Sequence, residues 1–245
     1  MVKLSILGIP VNLVTLSEAV ELSIEAIKKQ KRFRIMTANA EMIMQAQDHS
    51  ELRSALQNSE LVVADGAGVV WASKEFGTPL KERVAGVDLA YLLLEKATAE
   101  KIKVFFLGAS PHIAEIAASN MRIKFPGLQI AGVQDGFFQE SEDNDIIALI
   151  NQSGAEILFV ALGSPKQELW LEKHKEILKP YLRMGVGGTF DVMADQVKRA
   201  PKWMQENSLE WLYRAIGQPS RWKRLMALPK FVLAIKKAKK MDNHS

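Results

Sequence analysis

Between residues 33 and 188 one pattern recurs: an apolar run of strand length stops on small or polar residues, and a stretch with helical spacing follows. FRIMT (33–37) stops on Thr37 and Asn39, LVVA (61–64) on Asp65 and Gly66, KVFFLG (103–108) on Gly108 and Ser110, and LQIAGVQDG (128–136) on Asp135 and Gly136. EILFVALG (156–163) stops on Gly163, Ser164, Lys166 and Gln167, and YLRMGVGG (181–188) on Gly187 and Gly188, with Asp191 beyond. A helix between two strands is a crossover rather than a hairpin loop, and crossovers set strands parallel. The pattern predicts an α/β fold: a Rossmann-like, mostly parallel sheet flanked by helices, delivering every strand's C-terminal turn to one edge, where such sheets bind ligands.

Residues 1–198 read as the α/β core, with 1–60 as a smaller N-terminal lobe and 61–198 as the Rossmann-like lobe. The opening MVKLSILGIPVNLVTL is a first strand and turn; Lys3, Pro10 and Asn12 and the lack of a small-residue cleavage site argue against a secretory leader. Ser17 opens a helix with apolar residues at 19, 20, 22, 24 and 27, acids early and lysines late. A chain of 245 residues with 48% hydrophobic content buries a proper core. It has no cysteine, which excludes disulfides and thiolate metal sites and fits a reducing cytoplasm. No run of about 18 apolar residues exists to span a bilayer.

Other nucleotide motifs fail. Gly185 and Gly187 are followed by Phe190, and Gly66 and Gly68 by Trp71, where a dinucleotide fingerprint needs a third glycine. There is no Walker A sequence. Asp143, Asn144 and Asp145 spell the D-x-D with which many sugar-nucleotide enzymes hold a cation, but they precede an apolar helical run, where acids cap a helix. Four histidines add little, and neither a metal nor another cofactor is expected.

Asp65, at a strand end beside two glycines, is the first candidate for chemistry, although the same position suits an N-cap. In FVALGSPKQELW (159–170), backbone N–H groups at a helix start and the Lys166 charge would suit a diphosphate, with Gly163 and Gln167 beside them. GVGGTFDV (185–192) permits close backbone approach at Gly187 and Gly188. Asp191 is either a ligand for ribose hydroxyls or a base edge, or a solvated acid after a turn.

The blocks TANAE (37–41), ADGAGVVWA (64–72), ERVAGVDL (82–89), FFLGASP (105–111), DGFF (135–138), VALGSPKQELW (160–170), GVGGTFDV (185–192), RAPKWMQ (199–205) and LEWLYR (209–214) together resemble the WecG/TagA/CpsF glycosyltransferases. Two residues depart from the family pattern: Asp195 stands where Gly is usual, and Gln218 where Glu usually precedes Pro219. The resemblance implies metal-independent, inverting transfer of N-acetylmannosamine from UDP-ManNAc to the 4-hydroxyl of GlcNAc on undecaprenyl diphosphate, as in wall teichoic acid synthesis. Sister branches use UDP-ManNAc uronic acid or UDP-glucose. Inverting transfer needs a base for the acceptor proton, and Asp65 is the carboxylate best placed for it. Thr37, Asn39, Arg83 and Gln167 match the family's pocket residues and are assigned to sugar and phosphate contacts. Gly66, Asp135, Gly163, Lys166, Gly187, Gly188 and Asp191 complete the expected substrate site.

From Arg199 to Ser245 there are 11 Lys and Arg against 3 Asp and Glu, a local charge of +8 that leaves residues 1–198 at −4. This basic appendage holds Trp203, Trp211 and Trp222. Residues 202–216 suit either an amphipathic helix on the core or a membrane contact, whereas beyond Pro219 the composition suits an anionic bilayer, each cation adding about 1 kcal/mol. Arg214, Arg221 and Arg224 could reach the pocket and hold a diphosphate when the appendage docks. A cytoplasmic protein peripheral on the inner membrane face is therefore expected, with a homo-oligomer suited by the apolar faces of Leu209, Leu212 and Ile216. Rival classes are a nucleic-acid binder, against which the acidic core and missing recognition motif stand, and a non-catalytic UDP-sugar sensor.

Overall fold

Strand β3 (Phe33–Ala38) pairs in parallel with β4 (Leu61–Ala64) on one side and with β8 (Leu182–Gly185) on the other. Strands β7 (Ile157–Ala161), β5 (Lys103–Gly108) and β6 (Gln129–Gln134) continue the sheet beyond β8, again all parallel. The order is β4-β3-β8-β7-β5-β6 in this computed structural model, which describes residues 1–206, 212–213 and 227–242. The expected mostly parallel sheet is thus present. It also runs across the expected 60/61 boundary, because β3 and β4 are hydrogen-bonded neighbours. Within residues 1–60 only a hairpin stands apart from it, β1 (Lys3–Ile6) with β2 (Ile9–Asn12), where a single strand and turn were expected.

Helices cover both faces, so β4, β7 and β8 are buried throughout and read as largely apolar runs. One face packs α1 (Leu16–Lys28), α5 (Gly86–Glu100), α6 (Ile113–Lys124) and α9 (Thr189–Met193) on Ile35, Val63, Phe106, Phe159 and Met184. Phe106 stacks on Phe190 at 4.6 Å within this layer. The other face is covered by α2 (Ala40–Asp48), α3 (Ser50–Gln57), α4 (Ala67–Glu75) and the hairpin over β3 and β4, and by α7 (Asp143–Gln152) and α8 (Lys166–Lys173) over β5 and β7. Helix α1 is capped by Thr15 rather than Ser17: Thr15 Oγ1 accepts from the Glu18 N–H, and the Thr15 N–H donates to Glu18 Oε2 at 2.7 Å.

Two buried arginines, Arg34 and Arg183, are register partners on β3 and β8. Arg34 pairs with Glu172, and Arg183 Nη1 donates to the Lys175 carbonyl at 2.7 Å, so both hold the C-terminal end of α8. Burial pushes the Arg183 guanidinium down to about 10.

Of the appendage, α10 (Lys202–Glu206) and α11 (Ala227–Asp242) are described. Helix α11 packs on α2 and α4 and buries Phe231 and Ile235 completely in the apolar cluster of the hairpin. Lys239 pairs with Glu75 of α4 at 2.9 Å. Lys230, Lys236, Lys237 and Lys240 lie on the exposed side, together with Leu233 and Met241. The Arg199 guanidinium at the root of the appendage forms two hydrogen bonds to the Asp88 carboxylate of α5, at 2.5 and 3.2 Å. Among the described residues, no helix is long and apolar enough to cross a membrane.

Truncating a fully buried Phe costs about 3–5 kcal/mol. Phe231→Ala is therefore expected to release α11, with trypsin cutting first at Lys236 and Lys237; a digestion pattern identical to the parent's would contradict this docking.

Candidate active site

Side-chain alternation places Thr37 and Asp65 on the α5 face of the sheet, continuing the Ile35 and Val63 rows. The Asp65 N–H donates to the Ala38 carbonyl at 2.8 Å, which extends the β3–β4 ladder by one residue. Beyond it Gly66 has φ +131°, a conformation that L side chains rarely adopt, and so turns the chain sharply into α4. The loop carrying Arg83 returns to the same strand end, where the Val84 N–H donates to the Ala64 carbonyl at 2.9 Å. Helix α5 then begins at Gly86, whose N–H donates to Asp65 Oδ2 at 3.1 Å. The half-buried Asp65 carboxylate thus lies at the positive end of a 15-residue helix, a position that favours an anion. Asn39 caps α2 through Oδ1, which accepts from the Met42 N–H at 2.9 Å.

The second group forms where β7 and β8 end. Gln167 is buried, and its Oε1 accepts from the Gly187 N–H at 3.0 Å while Nε2 donates to Glu168 Oε1 at 2.7 Å. Its amide lies against Gly185, where an added Cβ would be 2.7 Å from Nε2. Because β4, β3, β8 and β7 are neighbours, the two groups share one edge, about 14 Å across at ordinary strand spacing. At the far end Lys166 Nζ lies 5.5 Å over the Phe138 ring, and Asp135 Oδ1 accepts from the Phe137 N–H at 2.8 Å. Lys166 and Phe138 also line a cavity of about 720 Å³ with Trp170, Glu140 and Lys173.

The model of the glycosyl transferase WecG/TagA/CpsF family matches residues 4–244. This chain belongs to that family. It is also 38% identical over 203 residues to the N-acetylglucosaminyldiphosphoundecaprenol N-acetyl-beta-D-mannosaminyltransferase of Bacillus spizizenii, covering 83% of this chain and 78% of the relative.

Within this WecG/TagA/CpsF chain, Asp191 lies half-buried in the first turn of α9, and its carbonyl accepts from the Gln196 and Val197 N–H groups. Gly163 and Gly188 flank the starts of α8 and α9. Arg214, Arg221 and Arg224, like Trp211 and Trp222, lie outside the described residues. Asp195, where the family usually has Gly, has φ +56°, a left-handed position that glycine adopts freely. Asp143 of the D-x-D turns inward: it accepts from Trp170 Nε1 at 2.8 Å and meets His174 Nε2 at 2.9 Å and Lys173 Nζ at 3.3 Å. Burial alone would raise its carboxyl, but these three partners hold it below the usual range.

Sequence reasoning missed Gly86 and Glu168. Gly86 sits in the family block ERVAGVDL, where it passes for an ordinary helix residue; its bare Cα matters only once three segments meet. Glu168 looks like a surface acid in KQELW, yet it is 1% exposed, and burial pushes its carboxyl up against the pull of Gln167.

Two outcomes follow from these contacts. A methyl on Gly86 would lie 3.0 Å from Thr37 Cγ2 and 3.3 Å from Asp65 Oδ2. With Asp65 in the catalytic role expected from the sequence, misplacement by an ångström costs about 10²-fold, so Gly86→Ala should lower kcat by about that factor in a folded protein; a parental kcat would show that turnover does not depend on this contact. Glu168, with its folded-state value above the ordinary 4.5, keeps a proton that the unfolded chain has released, so it subtracts stability as pH rises through that window. Thermal melts should therefore show Glu168→Gln gaining on the parent from pH 4.5 upward, with the difference shrinking below it.

Proposed function

We propose that this glycosyltransferase moves N-acetylmannosamine from UDP-ManNAc to the 4-hydroxyl of GlcNAc carried on undecaprenyl diphosphate, building the β-linked disaccharide from which wall teichoic acid grows. The observation that carries the reading is the Asp65 carboxylate, fixed by the Gly86 N–H at the ligand-binding edge of a sheet whose chain is 38% identical to an enzyme named for this transfer. Asp65 takes the proton from the acceptor hydroxyl as its oxygen attacks the anomeric carbon, and the bond to UDP breaks on the opposite face, inverting the centre. Thr37, Asn39 and Arg83 border the sugar, and the loops at Gly163–Gln167 and Gly187–Gly188 receive the diphosphate. Loss of a donor to the developing charge costs roughly 3 kcal/mol. Lys166 and the α8 N-terminus supply positive groups here, with Arg214, Arg221 and Arg224 as further cations of the same site.

The acceptor is a lipid, and the protein works as a peripheral enzyme on the inner face of the cell membrane. The exposed lysines of α11 with Leu233 and Met241 suit an anionic surface, which supports that placement.

With purified protein, a panel of UDP-ManNAc, UDP-ManNAc uronic acid and UDP-glucose, and a soluble lipid-diphosphate GlcNAc acceptor, only UDP-ManNAc should be turned over, and EDTA should leave the rate unchanged. Asp65→Asn should lose about 10²- to 10⁴-fold in kcat while still binding UDP. Preference for another donor would move the chain to a sister branch, and undiminished turnover by the variant would remove Asp65 from the base role.

A further inference from the structure

We propose that Glu168 is a positioning residue: its carboxylate orients the Gln167 amide, which in turn holds the Gly187 turn against the start of α8. The consequence for substrate rests on the reading above, in which those two loops receive the diphosphate of the donor.

A glutamine amide has two faces of opposite hydrogen-bonding sense, and nothing in its shape tells them apart. The Gly187 N–H requires an acceptor, so Gln167 must turn Oε1 toward it, at 3.0 Å. Nε2 then points where water does not reach, since Gln167 is 3% exposed. A buried donor left without an acceptor costs about 1–3 kcal/mol, enough to turn the amide or expel the side chain. Glu168 Oε1, at 2.7 Å from Nε2, is the acceptor that prevents this. Glu168 Oε1 can accept from Nε2 whether or not Oε2 carries a proton, so the acid holds the amide in this orientation.

The surroundings are built for this strut. The buried Ser164 hydroxyl faces the Glu168 carboxyl and adds to the pull of Gln167, and among the described residues no cation pairs with the acid. Gly185 leaves the space that the amide fills; an added Cβ would meet Nε2 at 2.7 Å and Cδ at 3.0 Å. Two glycines and an acid that look unrelated in the sequence thus serve one side chain.

Calorimetric titration of UDP into the full chain tests the strut. Glu168→Ala should weaken UDP about tenfold, Glu168→Gln, which keeps an acceptor, should stay within about threefold of the parent, and Gly185→Ala should reproduce the loss from the other side of the amide. Because Glu168 acts through Gln167, the double variant Q167A/E168A should bind no more weakly than Q167A alone. Parental affinity in E168A, or losses that add in the double variant, would overturn the proposal. If the parent itself does not bind UDP, the donor-site reading fails instead, and the strut is judged by amide hydrogen exchange at residues 186–188: faster in E168A and unchanged in E168Q if it holds, unchanged in both if it does not.

Discussion

The common direction of the six strands is the constraint from which the rest of the molecule follows. A parallel strand cannot return by a tight turn, so each one ends in a loop that must start a helix, and every such loop lies on the same edge. Asp65, the Arg83 loop, the start of α8 and the Gly187 turn come from four distant parts of the chain and need no separate device to bring them together. What does need a device is their fine placement. Gly86 fixes Asp65 from the α5 side, and Gln167 fixes the Gly187 turn from the α8 side.

The fold was legible because its signal is repeated: KVFFLG is read as residues 103–108 and the strand occupies Lys103–Gly108. The hairpin was missed because Gly8 separates two short runs that share one apolar face, which also looks like a single broken strand. That the sheet would join strands from both sides of residue 60 was not legible for a different reason. Which strands are neighbours depends on crossovers, and β8 inserts beside β3 although nearly 150 residues separate them. In the site, residues at strand ends could be named from the sequence, but the contacts of Gly86 and Glu168 could not. Both exist only where segments remote in the chain come within hydrogen-bonding distance.

Helix α8 shows how closely this scaffold grips its binding edge. At its first turn the Gln167 amide ties it to the end of β8; at its far end Arg34 and Arg183, projecting from the N-terminal ends of β3 and β8, hold Glu172 and, just beyond the helix, the Lys175 carbonyl. Asp143 secures its outer side through Trp170, His174 and Lys173. An isolated eight-residue helix would be unstable in water. Bound at both ends and along its flank, it presents its N-terminal N–H groups from a fixed position.

The packing of Phe231 and Ile235 has a bearing on how the protein is made. Their apolar cluster also contains Ile6, Ile9 and Val11. A ribosome delivers the first strands early and α11 more than two hundred residues later, so for most of translation this side of the sheet lacks its cover. Until then Gly68, which α11 approaches through Leu228 and Phe231, lacks that cover. The turn bearing Asp65 therefore acquires its backing last, and premature termination upstream of residue 231 would leave a nearly full-length polypeptide with a greasy, unshielded flank.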